Sequence, residues 1–193
     1  MFDFLIGNAG VSAYLAGIFT VVGFVALFIF FAVGGVFGPI NDAATVFQFL
    51  FLIPVALALH RVLSERAPGL SLAVTIAAVL VMAAIAVMQA ALVLGFVRFE
   101  QTLRPILVLG EVLGIWWLAT GILALNQPGF PTGWAWTGIV TGLSYNAIAI
   151  GFWIGGQQNP LAAVGFVVGA ISSSIWTFWI GWLLSSGQLA APY

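Results

Sequence analysis

The sequence consists of long apolar runs that alternate with short breaks rich in glycine, proline or polar residues. A helix needs about 20 residues, at 1.5 Å each, to cross a hydrocarbon core about 30 Å thick. Six runs reach this length, so the pattern predicts an all-α, polytopic transmembrane helix bundle with short loops. We predict a single transmembrane domain over residues 1–193, with helices at residues 10–38, 43–63, 69–97, 105–126, 133–155 and 160–185.

The breaks between these runs carry turn and cap signals. Residues 38–42, Gly-Pro-Ile-Asn-Asp, separate the first two helices, and we expect Asp42 to cap the second. The most charged segment, residues 98–104, separates the third helix from the fourth. Six spans place both termini and two loops on one face of the membrane, called side A here, and the other three loops on side B.

The arginines do not decide how the bundle is oriented. Cytoplasmic loops are enriched in lysine and arginine, but Arg61 and Arg66 fall on side A while Arg98 and Arg104 fall on side B. The short N-terminus has no basic signal segment, and such a terminus is easier to retain than to translocate. We therefore expect both termini to be cytoplasmic.

Composition agrees with lipid as the solvent and excludes several functions. The chain is 63% hydrophobic and 5% charged, with a net charge of -1, so it has no basic surface for nucleic acid. It contains no lysine for a retinal Schiff base and no cysteine for a thiolate site. No phosphate-binding loop, zinc-protease helix or serine elbow is present in the sequence, so we expect no enzymatic activity, no metal and no cofactor.

Polar side chains inside the spans are the candidates for function, because lipid makes each of them costly. The strongest is Glu111, with Arg104 two turns earlier on a similar face as a structural alternative partner. We predict a polar vestibule that opens on side B and is closed by aromatic residues towards side A. Alternatively, each polar group bonds a neighbouring backbone and no cavity exists. The candidate vestibule residues are Glu111, Arg104, Asp42, Gln48, Gln89 and Asn146.

Small residues at four-residue spacing predict close helix packing, since lipid gives helices no hydrophobic drive to associate. The fourth, fifth and sixth helices should therefore form a tight cluster, or provide seams for association with other helices. The candidate packing residues are Gly110 with Gly114, Gly138 with Gly142, and Gly165 with Gly169.

Aromatic residues gather near side A, where amphipathic rings anchor a bundle at headgroup depth. We expect Tyr14, Trp134, Trp136, Trp182 and Tyr193 to form this belt. Four other tryptophans lie deeper and are expected to contact lipid or pack between helices: Trp116, Trp117, Trp176 and Trp179.

A resemblance to bacterial membrane families of unknown function rests on three segments. They are residues 38–42, residues 54–60 from Pro54 to His60, and Ile-Trp-Thr-Phe-Trp-Ile-Gly at residues 175–181. Together with the six spans they make the chain similar to the family described as domain of unknown function 4386. The resemblance implies a bacterial inner-membrane location and no particular activity.

These observations support three functional hypotheses. The first is a non-enzymatic accessory or scaffold subunit in the lipid bilayer, packing against other membrane subunits or its own copy. The second is a small carrier or channel for protons, cations or a small solute, with Glu111 as its central group. The third, more distant, is a pigment-binding subunit in which His60 is the axial ligand.

Overall fold

A computed structural model describes residues 6–189 and, at Gln157, the backbone alone. Within these residues it contains six long α-helices, each long and apolar enough to cross a membrane. The chain is thus a multi-pass integral membrane protein with an all-α fold, as predicted. The helices are α1 (Ala9–Val33), α2 (Phe37–Leu63), α3 (Pro68–Val93), α4 (Phe99–Leu125), α5 (Thr132–Gly155) and α6 (Pro160–Ser185), with one 3-10 turn at Gly156–Gln158.

The six helices form a closed ring in chain order. Each helix packs against the next one along the chain, and α6 returns to pack against α1. The ring closes near side A, where Tyr14 contacts Gly181 and Gly17 faces the ring of Phe178. A ring of six helices has a central axis that no helix occupies, so side chains must either fill it or leave a cavity.

The first break lies four residues before its predicted position. Gly34 and Gly35, with φ of 69° and 70°, end α1, because glycine adopts positive φ without steric cost. Pro39 lies in the first turn of α2, where a helix N–H needs no intrahelical partner. The prediction that Asp42 caps this helix is therefore wrong, since Val36 is the N-cap residue and Asp42 lies inside the span.

The charged segment at residues 98–104 is also mostly helical. The turn occurs at Gly95, whose φ is 76°, and α4 begins at Phe99. The side chain of Gln101 accepts a 2.8 Å hydrogen bond from the backbone N–H of Arg98 and so closes the first turn. Helix ends lie at the polar surface of a bilayer, so the charges of Glu100 and Arg104 do not interrupt the helix.

Four tryptophans fill the axis of the bundle towards side A. Trp116, Trp117, Trp134 and Trp176 are all buried. Trp134 stacks on Trp176 with their ring centroids 5.1 Å apart, and its indole N–H donates to the Trp176 carbonyl at 3.2 Å. The prediction that Trp134 belongs to an interfacial belt is therefore wrong, because its side chain points inward.

The other belt candidates behave differently. Trp136 and Trp182 are exposed, as an anchoring ring requires, and Tyr14 is partly buried against α6. Tyr193 lies outside the described residues. Position along the chain thus indicates the depth of these residues but not the direction in which each one points.

Five of the six candidate packing glycines lie at contacts inside the bundle. A Cβ atom on Gly142 would come within 2.5 Å of the Gly114 carbonyl oxygen, so α4 and α5 touch backbone to backbone. Gly138 faces Trp176, and Gly165 and Gly169 face α5. Gly110 is the exception, because a Cβ atom there would have no neighbour within 4 Å.

Candidate solute-binding cavity

A cavity of about 330 Å³ occupies the axis of the bundle in the half nearer side B. Every helix contributes at least one side chain to its wall. The volume is within the range of about 300–1,000 Å³ that small-molecule sites occupy. The wall includes Thr20, Phe24, Phe30 and Phe31 of α1, Asn41, Asp42, Thr45, Gln48 and Phe49 of α2, Gln89 of α3, Phe99, Gly110 and Leu113 of α4, Tyr145 and Phe152 of α5, and Phe166 of α6.

One face of α2 provides most of the polar wall. Asn41, Asp42, Thr45 and Gln48 follow the helical period, so all four line the cavity. The Thr45 hydroxyl donates to the Asn41 carbonyl at 2.8 Å, and the Asn41 side-chain amide donates to an Asp42 carboxylate oxygen at 3.4 Å. Gln48 is six residues beyond Asp42, about 9 Å further along the helix axis. The polar strip therefore runs from the side B end towards the middle of the bundle.

Gln89 of α3 adds a second buried amide with a different environment. Gln48 and Gln89 are 5% and 6% exposed, but their hydrogen bonds differ. Gln48 bonds the side chain of Tyr145 across the cavity, whereas the Gln89 carboxamide oxygen has no hydrogen-bond partner among the described residues. Buried polar atoms almost always have a partner, so this oxygen bears a desolvation cost that no hydrogen bond offsets.

The remaining wall is rich in phenylalanine. Phe24, Phe152 and Phe166 line the interior, and Phe49 of the polar helix α2 lies beside them. Three further phenylalanines lie at the side B end and are exposed, so they mark the mouth: Phe30, Phe31 and Phe99. The cavity therefore offers a ligand aromatic contact along its whole depth.

The cavity ends near the middle of the bundle. Leu113 and Tyr145 are its deepest lining residues on α4 and α5 along the direction of side A. The Tyr145 ring contacts Trp117, with ring centroids 4.7 Å apart, and Trp117 contacts Trp176 at 6.1 Å. The tryptophan cluster therefore closes the axis on side A, and the cavity is a vestibule with one mouth, not a pore.

The structure brings together three of the six candidate vestibule residues, Asp42, Gln48 and Gln89. Glu111 does not line the cavity, and it accepts a 3.2 Å hydrogen bond from the indole N–H of Trp153 on the outer face of α4 and α5. The reason is rotational, since each residue turns about 100° around the helix and Gly110 is the residue that faces inward.

The other two candidates also lie outside the cavity wall. Arg104 is exposed, and the structure gives Glu111 the Trp153 indole as its partner in place of this arginine. Asn146 donates its side-chain amide to the Gly142 carbonyl at 2.8 Å, one turn earlier on its own helix. Asn146 thus follows the alternative in which a polar side chain bonds neighbouring backbone.

Four polar lining groups are missing from the sequence-based candidates: Thr20, Asn41, Thr45 and Tyr145. The predicted helix ends place Asn41 in a loop and give Thr45 no particular role, although both share one helical face with Gln48. That signal is present in the sequence once α2 is begun at Phe37. Tyr145 carries no such signal, because one tyrosine in a span is ordinary.

His60 lies far from the cavity, at the side A end of α2. Its Nδ1 atom is 2.9 Å from the Ser71 hydroxyl of α3, so it links two neighbouring helices. Within the described residues, no group of three or more histidine, cysteine, aspartate or glutamate side chains is placed to hold a metal ion. The pigment-ligand hypothesis for His60 has no support from its surroundings.

Comparison of the chain with protein-family models, with curated proteins and with solved structures found no match. The resemblance to the family of domain of unknown function 4386 therefore stays a prediction. Function must be inferred from the cavity alone.

Proposed function

We propose that this protein is a carrier that binds a small solute in the vestibule at the centre of its helix ring. The observation that carries the proposal is the cavity itself, which all six helices line and which reaches the middle of the bundle from one side. Solute sites of carriers lie near the middle of the membrane and are accessible from one side at a time. The tryptophan layer on side A provides the closed side.

The wall combines an apolar surface with few polar groups, as small-molecule sites do. The polar strip on α2 and the Gln89 side chain supply orientation, and the phenylalanines supply apolar contact. In the carrier hypothesis, Asp42, Gln48 and Gln89 therefore replace Glu111 as the polar groups that contact the solute. Binding and release require no covalent step, in keeping with the expectation of a non-enzymatic protein.

The accessory-subunit hypothesis has less to support it. Its main observation is the set of small-residue seams, and five of those six glycines are used for contacts between α4, α5 and α6 of the same chain. The sixth, Gly110, lines the cavity. The seams thus explain how the ring holds together, and they leave no surface of that kind for another subunit.

Filling the cavity tests the proposal directly. Gly110→Leu adds a side chain into the open space of the vestibule, because nothing lies within 4 Å of a Cβ atom there. Gly69→Leu is the matched control, since Gly69 is also a helical glycine with open space around it but is exposed outside the bundle. Both variants gain the same helix propensity over glycine.

The measurement is thermal unfolding of the detergent-solubilised proteins, with tryptophan fluorescence as the signal. Each protein is unfolded alone and in the presence of each member of a panel of small organic solutes. A solute at 100 times its Kd stabilises the folded state by about 2.7 kcal/mol. We expect solutes that stabilise the unmodified protein and the Gly69→Leu variant to leave Gly110→Leu unshifted. Equal shifts in all three proteins, or no shift in any of them, would contradict the proposal.

A further inference from the structure

We infer that the solute is a small organic cation, an aromatic or aliphatic ammonium, which the vestibule holds by its charge at Asp42 and by its apolar body against the phenylalanines. This inference rests on the proposed function and adds the chemical class of its substrate. It is supported by two independent properties of the cavity wall: its charge and its aromatic surface.

The charge of the wall has one sign. Asp42 is the only carboxylate among the described residues that line the cavity, and neither arginine nor histidine lines it. Arg98 and Arg104, on the same side of the bundle, are exposed and lie outside the wall. An anion entering the vestibule would meet a carboxylate and no compensating cation, whereas an ammonium would find its counter-ion.

The carboxylate of Asp42 has room for further hydrogen bonds. A carboxylate such as that of Asp42 can accept several hydrogen bonds, of which Asn41 supplies one. A ligand that carries several N–H groups, and no acceptor of its own, complements this residue. Primary and secondary ammonium groups have that character, and charge-assisted bonds of this kind are about twice as strong as neutral ones.

The aromatic surface suits the rest of such a ligand. Phenylalanines line both the interior of the cavity and its mouth, with Phe24, Phe152 and Phe166 in the interior. Ring faces attract cations through the aromatic quadrupole, and the same rings bury an apolar body. A volume of about 330 Å³ admits one aromatic ring with a short amine chain.

Three probes with one carbon skeleton separate charge from shape: 2-phenylethylammonium, 2-phenylethanol and phenylacetate. They carry a cation, a neutral hydroxyl and an anion. Binding to the purified full-length protein is measured by titration calorimetry and by thermal shift. We expect the ammonium to bind at least tenfold more tightly than the alcohol, a difference of about 1.4 kcal/mol, and phenylacetate to bind most weakly.

The variants assign the charge to its residue. Asp42→Asn keeps the size of the side chain and should lower affinity for the ammonium at least tenfold while leaving that for the alcohol unchanged. Glu100→Gln, which removes an exposed carboxylate at the same end of the bundle and does not line the cavity, is the matched control and should change neither. The double variant Asp42→Asn with Gln89→Glu returns a negative charge to the wall and should recover part of the ammonium affinity, which also shows that the fold is intact.

The outcomes separate the substrate class from the carrier function. Equal affinity for the ammonium and the alcohol, with both lost in Gly110→Leu, would overturn the cation assignment and leave the carrier proposal standing. An equal loss of ammonium binding in Asp42→Asn and Glu100→Gln would also overturn the assignment, since the effect would then be a surface potential. Ammonium binding that persists in Gly110→Leu would place the site elsewhere and overturn both.

Discussion

Replacing Gln89 by leucine should stabilise this protein. Gln89 is 6% exposed and its carboxamide oxygen has no partner among the described residues. The folded protein bears the desolvation cost of that oxygen and gains no hydrogen bond in return. Leucine has a similar volume and no polar atom, so Gln89→Leu removes the cost with little change in packing.

The magnitude comes from the cost of an unsatisfied buried group, about 1–3 kcal/mol. Imperfect packing of the leucine side chain offsets part of this gain. Exchanges that conserve side-chain volume cost less than about 1.5 kcal/mol for this reason. We therefore expect a net gain of about 1 kcal/mol in the free energy of unfolding.

Gln48→Leu is the matched control, because Gln48 is 5% exposed and lines the same cavity. Gln48 bonds the side chain of Tyr145, so its removal leaves the tyrosine hydroxyl unpaired. We expect this variant to lose about 1–2 kcal/mol. The assay is reversible unfolding in mixed micelles with the three proteins measured side by side. Destabilisation of both variants by similar amounts would refute the reasoning, since the unpaired oxygen would then have no energetic consequence.

Two further pairs of variants test the packing and the position of the cavity. Gly142→Ala should destabilise the bundle by about 1–3 kcal/mol in thermal unfolding, because its Cβ atom would lie 2.5 Å from the Gly114 carbonyl oxygen, whereas Gly110→Ala should be neutral or stabilising; equal effects would contradict the backbone contact. Glu111→Gln should leave ammonium uptake into proteoliposomes and its pH profile unchanged, while Asp42→Asn should lower uptake at subsaturating ammonium at least tenfold; a loss of uptake in the Glu111 variant would assign the central role to Glu111 of α4.

The number and order of the helices could be predicted from the sequence, because the length of an apolar run is a direct measure of its ability to span a bilayer. The helix ends could not be placed as well. Pro39 and the charged residues at 98–104 are typical of loops, yet the first turn of a helix tolerates both, so α2 and α4 begin earlier than predicted.

The candidate site could be predicted only in part, since depth can be read from sequence position but direction cannot. Asp42, Gln48 and Gln89 are predicted in the vestibule half of the bundle and do line the cavity. Glu111 is predicted in the same half, but the rotation of α4 turns Gly110 inward and points Glu111 at Trp153. Helix rotation is set by packing between helix backbones, and this cannot be derived from the spacing within one helix.

The most direct test of the vestibule is the accessibility of single cysteines in sealed vesicles, which the absence of native cysteine makes free of background. Thr45→Cys lines the cavity, and Phe47→Cys lies at a similar depth on the exposed outer face of α2. Glu100→Cys and Pro128→Cys, both at exposed positions, report the membrane sides of the α3–α4 and α4–α5 connections.

A membrane-impermeant maleimide should label Thr45→Cys from the same side as Glu100→Cys and not from the side that labels Pro128→Cys. Phe47→Cys should remain unlabelled from both sides, because lipid surrounds it. Labelling of Phe47→Cys, or of Thr45→Cys from the Pro128 side, would contradict a water-filled vestibule that opens on side B of a lipid-embedded helix ring.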